Sequence, residues 1–98
     1  MEQRKLVIMV FEDGLRPDME EVLVEQGIEH YTLWSGAEGS GVTGTKQGTP
    51  IWPGLNEVML IALPQEKVQP LIRRATEVRD SFPVKLGLRF MVTDCLFA

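Results

Sequence analysis

The chain is poor in the residues that build covalent or metal frameworks. It has one cysteine, Cys95, and one histidine, His30. A lone cysteine excludes an internal disulfide, and one imidazole with one thiol excludes zinc clusters built from several Cys and His. Positive charge is also scarce: 10 Lys and Arg stand against 14 Asp and Glu, for a net charge of −4. Without a basic run the chain has little with which to neutralise a phosphate backbone, so no nucleic-acid partner is expected. Backbone groups can still hold a small phosphate ligand. No apolar run approaches the roughly 18 residues that span a bilayer, so no membrane insertion is expected. Residues 1–5 lead into a short apolar run that ends at Glu12 and Asp13, which is not the pattern of a secretory signal. A cytoplasmic location is the expectation.

What is present is an ordinary globular composition, 44% apolar and 24% charged, in 98 residues. That length predicts a single domain over residues 1–98. Residues 6–11 form an unbroken, β-branched apolar run bounded by charge, which reads as a buried strand. Pro17 suits a first helical turn, and Asp18, Glu20 and Glu21 suit the positive end of its dipole. Leu15, Met19, Val22 and Leu23 follow helical spacing and Gly27 is a natural cap, so the first helix is predicted over residues 16–26. Residues 28–34 read as a second strand and 58–63 as a third. A second helix opens near Pro64, with Val68, Leu71, Ile72, Ala75 and Val78 on one face. Arg73, Arg74, Glu77 and Arg79 turn to water on the other. Pro70 fits it only if the regular helix begins near Lys67 or the first turn is irregular. Residues 86–92 read as the fourth strand and 93–98 as a tail.

The order β-α-β-β-α-β predicts an α+β, ferredoxin-like sandwich. Four antiparallel strands form its sheet, the first and third at the centre, and two helices lie on one face. Such a sheet leaves one face open, and strands with a wet face alternate apolar with polar. Residues 6–11 and 58–63 carry no charge on either face. Self-association through the open face resolves this, and the alternative is loops folded back over it.

Six of the nine glycines fall in the 19 residues from Gly36 to Gly54. This stretch cannot pack as a helix and reads as a long hairpin arm or a mobile loop. Gly39-Ser40-Gly41-Val42-Thr43-Gly44 satisfies G-x-G-x-x-G, but no helix follows it, so the dinucleotide reading fails. No Gly-Lys-Ser/Thr closes it as a P-loop. Two readings remain: an anion nest of backbone N–H groups with Lys46, Thr43 and Thr45 as extra donors, or a flexible tip without ligand. Trp52-Pro53-Gly54 closes the arm as a turn, and Trp34 and Trp52 flank it in position to pack across it. His30 reads as a surface residue on an edge strand and Cys95 as a packed thiol. The carboxylates of Asp13, Asp18, Glu20 and Glu21 read as solvated helix charges. No nucleophile, base and orienting group fall into a pattern, so no enzyme is expected.

Four segments in order carry a family resemblance. They are Gly27-Ile28-Glu29-His30-Tyr31-Thr32, Gly39-x-Gly41-x-x-Gly44, Trp52-Pro53-Gly54-x-Asn56 and Leu86-Gly87-Leu88-Arg89-Phe90. Together they resemble the PII-like branch of the nitrogen-regulatory PII signal-transduction superfamily. The resemblance implies a ferredoxin-like subunit in a homotrimer, with a small-molecule ligand in the clefts between subunits. In PII proteins the ligand is ATP or ADP, and the arm, their T-loop, docks on a regulated protein such as a transporter or enzyme. It places Gly39, Gly41 and Thr43 at the arm base and Gly87 in a second loop before the last strand. With Gly44, Lys46 and Arg89 these are the expected ligand-binding residues. Where the family follows the glycine with lysine, this chain has Leu88, and Arg89 comes one residue later, on the other side of a strand. The arm lacks the tyrosine that PII proteins modify, and the family's C-terminal arginines have no counterpart. The expected ligand is an adenine nucleotide, ADP, AMP or ATP, with ADP or AMP favoured because they have fewer phosphates to satisfy, alongside another anion or none. A metal-tolerance trimer like CutA, which shares the fold but would want exposed metal ligands, and a ligand-free structural trimer are the alternatives.

Overall fold

The computed structural model describes residues 1–41, 44–46 and 55–98. Strand β1 (Glu2–Glu12) leads through a 3-10 turn into helix α1 (Arg16–Glu25) and then strand β2 (Thr32–Ala37). Two short strands follow, β3 (Gly39–Gly41) and β4 (Gly44–Lys46). Strand β5 (Asn56–Leu63), helix α2 (Val68–Asp80) and strand β6 (Leu88–Phe97) complete the order. The long strands form one antiparallel sheet in the order β2-β5-β1-β6. The first and third long strands are therefore central, as the topology rules require.

Alternation in the two central strands decides the layers. Val7, Met9 and Phe11 of β1 and Met59, Ile61 and Leu63 of β5 are buried beneath the helices. They meet Leu15, Met19, Val22 and Leu23 from the first helix and its lead-in turn and Val68, Leu71 and Ala75 from the second. On the opposite face Leu6, Ile8 and Val10 pair with Ala62, Leu60 and Val58 and are only half-buried. Met91 continues that face on β6 opposite Ile8, and Trp34 continues it on β2 opposite Val58, with 47% and 66% of their surface exposed. The open face is thus apolar across its two central strands, while its edges mix Met91 and Trp34 with Thr32, Arg89 and Thr93.

Helix α1 ends on Gly27, whose φ of +70° only glycine adopts without strain. Its N–H bonds Val24 O at 3.0 Å and the N–H of Ile28 bonds Leu23 O at 2.9 Å, the pair of bonds that closes a helix in a Schellman cap. Ile28 is buried beside Leu23 in the core as part of this cap. The strand expected over residues 28–34 therefore begins only at Thr32, and His30 is exposed in the connection rather than on a strand. Gly36, at φ +77°, interrupts the β2–β5 ladder between Trp34 and Ala37.

Pro70 sits in the first turn of α2, after the 3-10 turn Gln65–Lys67, where its missing N–H has no helical acceptor to lose. Arg79 does not turn to water. Its guanidinium donates to Leu86 O at 3.2 Å and pairs with Asp80, pinning the loop between α2 and β6. The tail expected at residues 93–98 is instead strand, since β6 runs to Phe97 against the start of β1. Lys5 pairs with Asp94 across the strands, and Arg4 lies 4.9 Å above the Phe97 ring. Cys95, half-buried and free, lies on this strand opposite Arg4.

Truncating the central core should show its weight. Leu71→Ala is expected to cost about 2–5 kcal/mol by urea unfolding. Gly27→Ala should cost about 1–2 kcal/mol, the strain of a left-handed residue with a Cβ.

Candidate functional site

The glycine arm leaves the sheet after Ala37 and returns at Asn56. Ala37 pairs with Asn56, and Asn56 pairs with Glu12. Glu12 in turn donates its backbone N–H to Gly87 O at 3.1 Å. Arm base and second loop are therefore in one row at one end of the sheet. With strands about 4.8 Å apart, roughly 14 Å separates the arm's root from Gly87.

Within the arm, Gly39 pairs with Lys46, Ser40 with Thr45 and Gly41 with Gly44. Four of the seven expected ligand-binding residues, Gly39, Gly41, Gly44 and Lys46, are thus brought together in one antiparallel ribbon. Thr43 lies outside the described residues, as do Trp52 and the Pro53-Gly54 turn. Gly87 and Arg89 stand at the start of β6. Leu88 pairs with Phe11 and packs against the core, while Arg89 pairs with Val10 and is exposed on the open face. The alternation expected between these two residues is what the register has.

Gly87 is not a bare donor. Its N–H is bonded to Glu12 Oε2 at 2.5 Å, half-buried. Strand β1 ends at Glu12 and the chain turns into the 3-10 segment, so a side-chain oxygen serves the last amide of the ladder.

Next to this row lies a second polar group that the sequence reading missed. Arg16, the first residue of α1, reaches Ser35 Oγ at 3.3 Å, Glu20 at 3.5 Å and Glu57 Oε1 at 3.9 Å. Glu57 is 5% exposed, the only buried charged residue among those described, and its Oε2 has no hydrogen-bond partner. Tyr31 donates its hydroxyl to Glu20 at 3.3 Å. Partial burial first, and then the charge and hydrogen bond of Glu20, push the Tyr31 hydroxyl above its usual range, while Arg16 opposes them. Glu20 is therefore not a free solvated charge. Period-2 reading extended one residue upstream of Val58 would have put Glu57 on the same face as Met59 and Ile61. Among the described residues no three His, Cys, Asp or Glu side chains converge as a metal set.

No protein-family model matches the chain, and no curated protein matches it in sequence. Solved structures do match its backbone. CPII, a nitrogen regulatory PII-like protein from Thiomonas intermedia K12, bound to ADP, AMP and bicarbonate, superposes with a TM-score of 0.79. It is 19% identical, over 96% of this chain and 87% of that one. The chain has the PII-like fold. The apo form of CPII matches at a TM-score of 0.63, with 16% identity over 97% of this chain and 96% of that one. A protein from Thermus thermophilus, proposed to be a PII-like signaling protein, matches at 0.69 with 22% identity, over 95% and 87% of the two chains. At such identities the likeness is one of fold, and side-chain roles rest on this chain's own residues. In the PII-like fold as built here, the glycine ribbon and Gly87 share one end of the sheet while the helices occupy one face.

Glu57 offers a test of the row's energetics. A buried carboxylate oxygen without a partner costs about 1–3 kcal/mol, and an apolar residue of similar length removes that cost. Glu57→Met should therefore raise the urea midpoint, by about 1 kcal/mol in stability once the loss of the long Arg16 contact is allowed for. A lower midpoint would mean that Oε2 finds a partner in solution.

Proposed function

We propose that the chain is a single PII-like domain, not an enzyme, that assembles as a homotrimer. In this reading it senses a small anionic ligand and controls a partner protein in the cytoplasm through its glycine arm. The observation that carries this is the coincidence of glycine ribbon and Gly87 at one end of a PII-like sheet. Backbone amides are the natural anion donors in an acidic chain, because they need no cationic side chain. That CPII is bound to ADP, AMP and bicarbonate supports a nucleotide or a small anion as the ligand class.

The open sheet face supports the trimer. Leu6, Ile8, Val10, Val58, Leu60 and Met91 form an apolar surface that no helix among the described residues covers. Closed symmetry buries such a patch against copies of itself. The roughly 14 Å between arm root and Gly87, three strand spacings, also favours a shared site, in which one subunit's ribbon approaches its neighbour's second loop. Light scattering at micromolar concentration should give three times the chain mass, and Leu60→Lys should yield monomers. A parent protein that is already monomeric would remove both the trimer and the shared cleft.

Binding should be modest. A charge-assisted hydrogen bond contributes roughly 1.5–3 kcal/mol, and with Leu88 in place of the family's lysine the site lacks one. Calorimetry should find ADP or AMP bound more tightly than ATP, whose third phosphate adds charge without added donors. Submicromolar ATP would show that other residues supply the missing cations. Gly41→Val should abolish binding by blocking backbone approach. Unchanged affinity in that variant would take the ligand off the arm.

A further inference from the structure

We infer that Glu12 is the affinity-determining residue of the anion site, acting as a resident anion that any ligand must displace from Gly87. This rests on the reading that Gly87 takes part in ligand binding, and goes beyond it by naming what opposes the ligand.

The geometry is that of a substitution. In an antiparallel ladder a hydrogen-bonded pair exchanges two backbone bonds. Glu12 and Gly87 exchange one: the Glu12 N–H reaches Gly87 O at 3.1 Å. The return bond from the Gly87 N–H goes to the Glu12 carboxylate, at 2.5 Å. A carboxylate on a rotatable side chain thus stands where the ladder would have a fixed carbonyl. The same side chain lies against Gly87, with Glu12 Cγ 3.5 Å from where a Cβ would be, an ordinary van der Waals contact. An amide held by a fixed carbonyl cannot be released without unzipping the strands. An amide held by a side chain is released by rotation about single bonds, and β1 stays paired.

Carboxylate and ligand compete on two grounds. One N–H cannot serve two acceptors at full strength, and a second negative charge within about 4 Å of the first is repelled. Glu12 also pairs with Asn56, the residue at which the arm returns to the sheet. The side chain that holds Gly87 therefore belongs to a residue bordering the arm's root.

The test uses the full-length parent, Glu12→Ala and Glu12→Gln, each first checked for an intact fold by its unfolding midpoint. In ligand-free protein the Gly87 amide proton should lie far downfield by NMR and move upfield in Glu12→Ala. An unmoved resonance would overturn the contact. In calorimetry with ADP, Glu12→Ala should bind roughly tenfold to a hundredfold more tightly than the parent, the equivalent of one charge-assisted hydrogen bond. Glu12→Gln, which keeps an acceptor but no charge, should fall between. Equal, measurable affinity in all three proteins would overturn the competition and leave the ligand reading standing. Weaker binding in Glu12→Ala would make Glu12 part of the site rather than its competitor. Binding by none of the three would remove ligand reading and competition together, whereas binding only by the variants supports both.

Discussion

The pairing of β1 with β5 is the constraint on which the rest depends. Both strands carry apolar residues on both faces along most of their length, so they can only lie at the centre of the sheet. Their register puts Val7, Met9 and Phe11 beside Ile61, Met59 and Glu57. That one register sets where the helices dock, which face stays open and which residues meet at the sheet's end. A slip of one residue would exchange the buried and open sets on a whole strand, so the pairing is firmly specified wherever the helices cover it. Because the open set is also apolar, the same pairing creates a face that a lone subunit leaves wet.

Most of the scaffold was legible because it rests on local signals. The 3.6-residue spacing of α2 and the Gly27 stop of α1 are written in neighbouring residues, and both appear where expected. What was misread depends on partners outside the segment itself. Residues 93–97 look like a tail because Thr93, Asp94 and Cys95 break the apolar run. They form a strand because the start of β1 offers Lys5 to Asp94 and Arg4 to the Phe97 ring. Residues 28–31 look like a strand because Ile28 and Tyr31 favour one. Yet Ile28 is held by the helix cap and Tyr31 reaches back to Glu20 on that helix. In each case a contact with a neighbouring element overrode the segment's own propensity.

The site was legible to a different degree. The glycines at 39, 41 and 44 and the loop glycine at 87 stand out from sequence alone, and the register joins the first three into a ribbon. Glu12, Arg16 and Glu57 did not stand out, because a single acidic or basic residue at the edge of an apolar run is the commonest kind of strand boundary. Only the row Ala37–Asn56–Glu12–Gly87 reveals that Glu12 borders both loops. Only burial reveals that Glu57 is a core residue of the wrong polarity.

These departures fall in one place. Under the helices, the buried positions of β1 and β5 are apolar in every case except Glu57, at the arm end of β5. At that same end a ladder amide is served by a side chain instead of a carbonyl, and a glycine at φ +77° breaks the β2 register. Local rules of packing and pairing are broken in natural proteins mostly where function requires it. A core designed for stability alone would put an apolar residue at position 57 and end β1 one residue later, so that a backbone carbonyl reached Gly87. The chain does neither at the one end where its glycine ribbon begins. That concentration of unfavourable choices, more than any single motif, is the physical reason to look for ligand chemistry there and not along the well-packed remainder of the sheet.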